Sequence, residues 1–141
     1  MKEKISGPRV KPGAAPKGCI LTIEDDAAQR RMIQKALEKR GYVVFTAENG
    51  EQGLQMAQVR KPDLILLDVI MPGIDGKEVC KRLKAYEETK DIPVLFLTSI
   101  DAPKEIVEHY YIGGEIHLTK PINARELVAQ VEASLKEFKK I

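Results

Sequence analysis

From Cys19 onward the polar and apolar positions of this chain alternate between two rhythms. Apolar runs of three to five residues read as strands, and longer stretches with apolar residues three and four apart read as amphipathic helices. Cys19–Ile23 predicts β1. Met32, Ile33, Ala36 and Leu37 recur at helical spacing and predict α1 over Ala27–Lys39, with Gly41 just past its end. Tyr42–Thr46 predicts β2. Gly50–Arg60 predicts α2, ended by Lys61-Pro62. Asp63–Leu67 predicts β3, and Gly76–Ala85, carrying Val79, Cys80 and Leu83, predicts α3. Val94–Leu97 predicts β4, and Pro103–Ile112 predicts α4 with Gly113-Gly114 as its stop. Ile116–Leu118 predicts β5. Ala124–Phe138 predicts α5, with Leu127, Val128, Val131 and Leu135 facing in.

Leu64 to Leu67 are too continuously apolar for a strand with one wet face, so β3 is a central strand covered on both sides. Five β-α units in this rhythm imply a parallel sheet with helices on both faces. Right-handed crossovers leave few topologies. The predicted fold is α/β: a flavodoxin-like, doubly wound, five-stranded parallel sheet of order 2-1-3-4-5 with five helices.

Length adds that 141 residues suffice for one domain with a substantial core. The net charge of +2 is uneven: residues 1–17 hold five basic and one acidic side chain, so the remainder carries −2. That remainder does not suggest a broad nucleic-acid surface. Residues 1–17 combine this charge with Gly7, Pro8, Pro12, Gly13 and Pro16, and read as a flexible basic tail preceding a domain over 18–141. Cys19 and Cys80 make neither a disulfide framework nor a metal site. No signal peptide and no apolar run of membrane-spanning length is visible, so the expected location is cytoplasmic, away from membranes.

The chemistry lies at the strand ends. Glu24-Asp25-Asp26 follow β1, Asp68 follows β3, Thr98-Ser99 follow β4, and Thr119-Lys120-Pro121 follow β5. The predicted topology brings all four groups to one sheet edge, where clustered carboxylates call for a hard cation such as Mg²⁺. Lys120 and the Thr98 hydroxyl suit a phosphoryl group. The implied chemistry is phosphoryl transfer to the Asp68 carboxylate. A flavin phosphate would be repelled by three acids after β1. A haloacid-dehalogenase-type phosphatase would want an acid two positions after the nucleophile, where Ile70 stands. No phosphate-binding G-x-x-x-x-G-K-[ST] loop is present. Asp26 reads either as the N-cap of α1 or as a third cluster acid, and Asp75 reads as the N-cap of α3.

Ile20-Leu21-Thr22-Ile23-Glu24-Asp25-Asp26, Asp63 to Asp68 with Met71-Pro72-Gly73-Ile74-Asp75-Gly76, Leu97-Thr98-Ser99 and Leu118-Thr119-Lys120-Pro121 together resemble a response-regulator receiver domain of two-component signalling, chemotaxis regulators included. The resemblance covers about residues 18–138. It implies that Asp68 accepts a phosphoryl group from a sensor histidine kinase or histidine phosphotransfer protein. It further implies that Asp25 and Asp68 bind Mg²⁺, with Glu24 assisting and the Ile70 backbone carbonyl completing the site. Thr98, Ser99 and Lys120 would contact the phosphoryl group, the Lys120-Pro121 peptide would be cis, and Thr98 with His117 would form the switch that alters the α4-β5-α5 face. Such a chain is not an enzyme in the ordinary sense. It catalyses its own phosphorylation and slow dephosphorylation.

Two departures from the family pattern stand out. Ile70 and Ile100 flank the reaction centre with apolar, branched side chains, which suggests a long-lived phosphorylated form. Ile116 replaces the second of two acids that precede the aromatic position in receivers that dimerise on DNA, which weakens the case for such a dimer: Ile116 reads either as part of an apolar patch for a heterologous protein partner or as a buried strand residue. No DNA-binding domain is expected in this chain. Alternative readings are a phosphorylation-independent pseudo-receiver scaffold, or a receiver module of a larger regulator or hybrid kinase.

Overall fold

The computed structural model describes residues 17–99, 116–120 and 123–139, with the backbone alone at 98–99, 116–117 and 138–139. The predicted α4, its Gly113-Gly114 stop, the tail up to residue 16, Ile100 and Pro121 lie outside the described residues. The described elements are β1 (Cys19–Ile23), α1 (Ala27–Lys39), β2 (Val43–Ala47), α2 (Gly50–Arg60), β3 (Leu64–Asp68), α3 (Gly76–Ala85), β4 (Val94–Ser99), β5 (Ile116–Lys120) and α5 (Ala124–Lys139). All strand pairs are parallel, in the order β2-β1-β3-β4-β5. The flavodoxin-like topology expected from the sequence is the one observed.

Helix limits match the sequence rhythm because each has a local stop or cap. The Asp26 side chain accepts from the Gln29 N–H and caps α1, Asn49 does the same for α2 through Gln52, and Asp75 for α3 through Glu78. Gly41 takes φ +98°, the left-handed turn that closes α1. Strand limits shift by a residue or two. Tyr42 stays out of β2 because its N–H bonds to Leu37 O at the end of α1, while its ring is buried. Asp63 lies just before β3 and is tied to β1 twice: its N–H donates to Cys19 O at 2.7 Å, and its Oδ2 accepts from Cys19 N at 2.8 Å. β4 and β5 run farther than predicted, their ladder continuing through Thr98–Thr119 to Ser99–Lys120. The sheet therefore carries its pairing up to the residues expected to hold chemistry.

The side chains of β3 divide the core. Ile65 and Leu67 pack with Leu54 and Ala57 of α2 and with Val79 and Leu83 of α3. Leu64 and Leu66 pack on the other face with Ile33 and Leu37 of α1 and with Leu127, Val131 and Leu135 of α5. Every residue of β3 is buried, as its unbroken apolar run required. Asp68 is thus delivered to the sheet edge on a fully buried strand.

Candidate functional site

β1 and β4 flank β3, and β5 lies beyond β4, so their carboxyl ends open on one edge. Glu24 continues the β1 ladder by one bond, its N–H donating to Ala47 O at 3.0 Å, and this holds its side chain fully buried. Glu24 Oε2 accepts from the Asp26 N–H at 3.2 Å. Glu24 Oε1 has no directed hydrogen-bond donor and sits 2.9 Å from Lys120 Nζ as an ion pair. The same ammonium donates to Asp68 Oδ2 at 3.2 Å. Asp25 is exposed beside them, and single carboxylate oxygens of Glu24, Asp25 and Asp68 lie within 4.8 Å of one another.

This geometry perturbs both partners. Burial, reinforced by the nearby Glu24 carboxylate, pushes the Asp68 carboxyl from its ordinary 3.8 up to about 7, against the pull of Lys120. Burial alone would lower the Lys120 pKa, but Glu24 and Asp68 outweigh it and raise it. Asp26 moves the other way, lowered chiefly by the Gln29 N–H that it caps. Three clustered acids against one ammonium, with an under-coordinated buried oxygen on Glu24, form a donor set suited to a hard divalent cation.

The supporting backbone is tightly specified. The Arg30 guanidinium turns back from α1: Nη1 donates to Glu24 O at 2.8 Å and to Asp25 O at 3.4 Å. Gly76 donates its N–H to Val69 O at 2.9 Å, and a Cβ at this position would lie 2.6 Å from Asp68 O. α3 therefore starts flush against the backbone that presents Asp68. Ile70 leaves this loop with its side chain 48% exposed, whereas Val69 and Met71 on either side are buried.

Of the residues singled out from the sequence, Glu24, Asp25, Asp68 and Lys120 come together. Thr98 and Ser99 lie on the adjacent strand end, with Thr98 paired to Thr119 and Ser99 to Lys120, and His117 pairs with Phe96 through the backbone. The side chains of these three, Ile100 and the Lys120-Pro121 peptide lie outside the described residues. Asp26 resolves as an N-cap whose amide serves Glu24. Arg30 was not visible as a site residue from the sequence. It follows the pattern of a helix surface arginine, and nothing in its spacing marks that it folds back onto the loop. No described helix is long and apolar enough to cross a membrane.

Residues 20–132 match the family model of the response regulator receiver domain. The phosphate regulon transcriptional regulatory protein PhoB of Pseudomonas aeruginosa is 43% identical over 117 residues, which are 83% of this chain and 51% of that protein. The chain spans about half the length of the curated relatives it matches. The signal receiver domain of a histidine kinase from Syntrophus aciditrophicus superposes with a TM-score of 0.78 at 32% identity, over 88% of this chain and 94% of that one. The chemotaxis protein CheY4 of Vibrio cholerae gives 0.74 at 31% identity, over 82% and 96%.

Proposed function

The chain belongs to the response-regulator receiver family, and on that premise we propose that Asp68 is a phosphoacceptor charged by a histidine kinase or a histidine phosphotransfer protein with Mg²⁺ at the acidic cluster. The observation that carries this reading is the placement of Asp68 against both Lys120 and the Glu24–Asp25 pair at one sheet edge. In the transfer, Asp68 Oδ forms a bond to phosphorus as the donor's N–P bond breaks, and the electron pair stays on the imidazole nitrogen. Lys120 then exchanges part of its contact with Asp68 for the incoming phosphoryl oxygens. Asp25, Asp68, Glu24 and the Ile70 carbonyl would hold the Mg²⁺, which when bound would supply neutralisation of phosphoryl charge.

Thr98 and Ser99, on the strand next to β3, are the proposed phosphoryl contacts. Thr98 with His117 is the proposed relay to the α4-β5-α5 face, where a protein partner would read the state. The relatives' names span a transcriptional regulator, a histidine kinase and a chemotaxis protein, so the output is not assigned from them.

The test is intact mass and amide-proton NMR after acetyl phosphate or beryllofluoride with Mg²⁺. A gain of one phosphoryl group, lost in Asp68→Ala, is the expected result. An unmodified chain with an unchanged spectrum would instead establish a pseudo-receiver.

A further inference from the structure

Arg30 is the described side chain most at odds with its sequence setting. It stands in the second turn of α1 between exposed and half-buried neighbours, yet its own side chain is only 17% exposed. Its Nη1 holds two consecutive carbonyls, Glu24 O at 2.8 Å and Asp25 O at 3.4 Å. Its Nη2 lies 4.0 Å from Glu48 Oε2, at the loop that follows β2. Its own N–H donates to Asp26 O. One residue thus ties down the backbone on both sides of Asp25.

Two carbonyls turned toward one guanidinium fix the peptide planes that flank Asp25. Those planes set the direction in which its carboxylate leaves the backbone. The charged donor makes the 2.8 Å bond to Glu24 O short and strong, the 3.4 Å contact to Asp25 O is longer, and the planar guanidinium resists reorientation. Glu24 is buried and already held by the Asp26 amide and Lys120. Asp25 is exposed, and no side-chain hydrogen bond is recorded to its carboxylate among the described residues. The order of this exposed ligand candidate must come from its backbone.

We propose that Arg30 is a positioning residue for the divalent-cation site, acting through the carbonyls of Glu24 and Asp25 to aim the Asp25 carboxylate at Asp68. The inference rests on the metal-assisted reading above. It has a signature that charge alone would not give. A cation close to an acidic cluster opposes a divalent metal, so removing Arg30 for its charge would tighten Mg²⁺ binding. Removing it as a positioning residue would weaken binding despite that gain. Loss of such supporting contacts typically lowers metal affinity by about ten- to a hundredfold.

The experiment is Mg²⁺ titration of the wild type, Arg30→Met and Arg30→Lys by calorimetry and amide-proton NMR, with thermal unfolding of each in EDTA. Arg30→Met is expected to bind Mg²⁺ about tenfold more weakly. Arg30→Lys keeps the charge without the planar guanidinium, and is expected to be weakened too, by less. Glu48→Gln, which removes an exposed partner at 4.0 Å, should bind as the wild type does. Tighter or unchanged binding in Arg30→Met, even with reduced thermal stability, overturns the proposal and leaves Arg30 a structural link. Should Arg30→Met not fold, the comparison of Arg30→Lys with the wild type decides alone: unchanged affinity overturns it. Failure of the wild type to bind Mg²⁺ would overturn the metal-assisted reading itself, and is distinguishable because it appears before any substitution.

Discussion

Lys120 Nζ reaches to 2.9 Å from Glu24 Oε1, although β1 and β5 are separated in the sheet by β3 and β4. The ammonium spans the width of the edge and touches Asp68 on the way. Lys120→Gln therefore leaves two buried carboxylates without their cation. A cost of about 2–3 kcal/mol is expected in EDTA, below the range for a fully buried pair because Lys120 is 21% exposed. Mg²⁺ should recover part of it. Urea unfolding with and without the metal measures both, and a variant as stable as the wild type in EDTA would contradict the assignment.

In metal-free buffer, stability should fall as pH rises from about 4 to about 7. The folded protein holds the Asp68 proton up to about pH 7, while the unfolded chain releases it near 3.8. The folded state then binds more protons across that window, so deprotonation favours unfolding, and the loss persists at higher pH. Asp68→Asn removes this titration. It should be more stable than the wild type at pH 8 in EDTA, with the advantage disappearing toward pH 4. Unfolding free energies at several pH values test this, and parallel curves would refute it.

Gly76→Ala should slow phosphorylation as well as destabilise, because its methyl group would meet the Asp68 carbonyl at 2.6 Å. Gly73→Ala is the control. Nothing lies within 4 Å of its Cβ, and only the φ of +80° resists it. Both should cost about 1–3 kcal/mol, but Gly73→Ala should disturb the Asp68 environment far less. Rates with a small phosphodonor, compared at saturating Mg²⁺, separate the two.

The same substitution should have opposite signs at two buried threonines. Thr89 Oγ1 donates to Leu83 O at 2.6 Å and closes the end of α3, so Thr89→Val should destabilise by about 1–3 kcal/mol. Thr22 Oγ1, next to the last residue of β1, is buried with no hydrogen-bond partner. Thr22→Val keeps the shape and removes the unpaired hydroxyl, and should stabilise by about 1 kcal/mol. Denaturant midpoints at unchanged slope check both.

Ile70, two residues after Asp68, is half exposed and its side chain offers water no hydrogen bond. Once phosphorylated, Ile70→Asn should release phosphate on the order of ten times faster, the worth of one hydrogen bond to the attacking water. Following the decay of the phosphorylated form in Mg²⁺ tests this. An unchanged half-life would remove Ile70 from the account.

The apolar rhythm made the fold legible because β3 needs cover on both faces, and five β-α units in one sheet provide it as a doubly wound fold. Four charged or hydroxylated strand ends made the site legible for the same topological reason. Tyr42 and Asp63 misled at the strand limits. Both look like strand residues, but Tyr42 spends its amide on α1, and Asp63 is tied to β1 through its carboxylate as well as its amide. Asp26 could not be assigned from sequence because an N-cap and a cluster acid need the same residue type. Arg30 was illegible for a different reason: its partners are main-chain carbonyls, which every residue has, so no pattern of side chains announces them.

The cation that Glu24 depends on arrives from the last strand of the sheet, some ninety-six residues later in the chain. During synthesis β1 to β4 emerge before β5, and a domain of this kind folds as a unit. Until β5 docks, the Glu24 carboxylate lacks its ammonium. The acidic edge is complete only once the last strand has delivered its lysine to both Glu24 and Asp68.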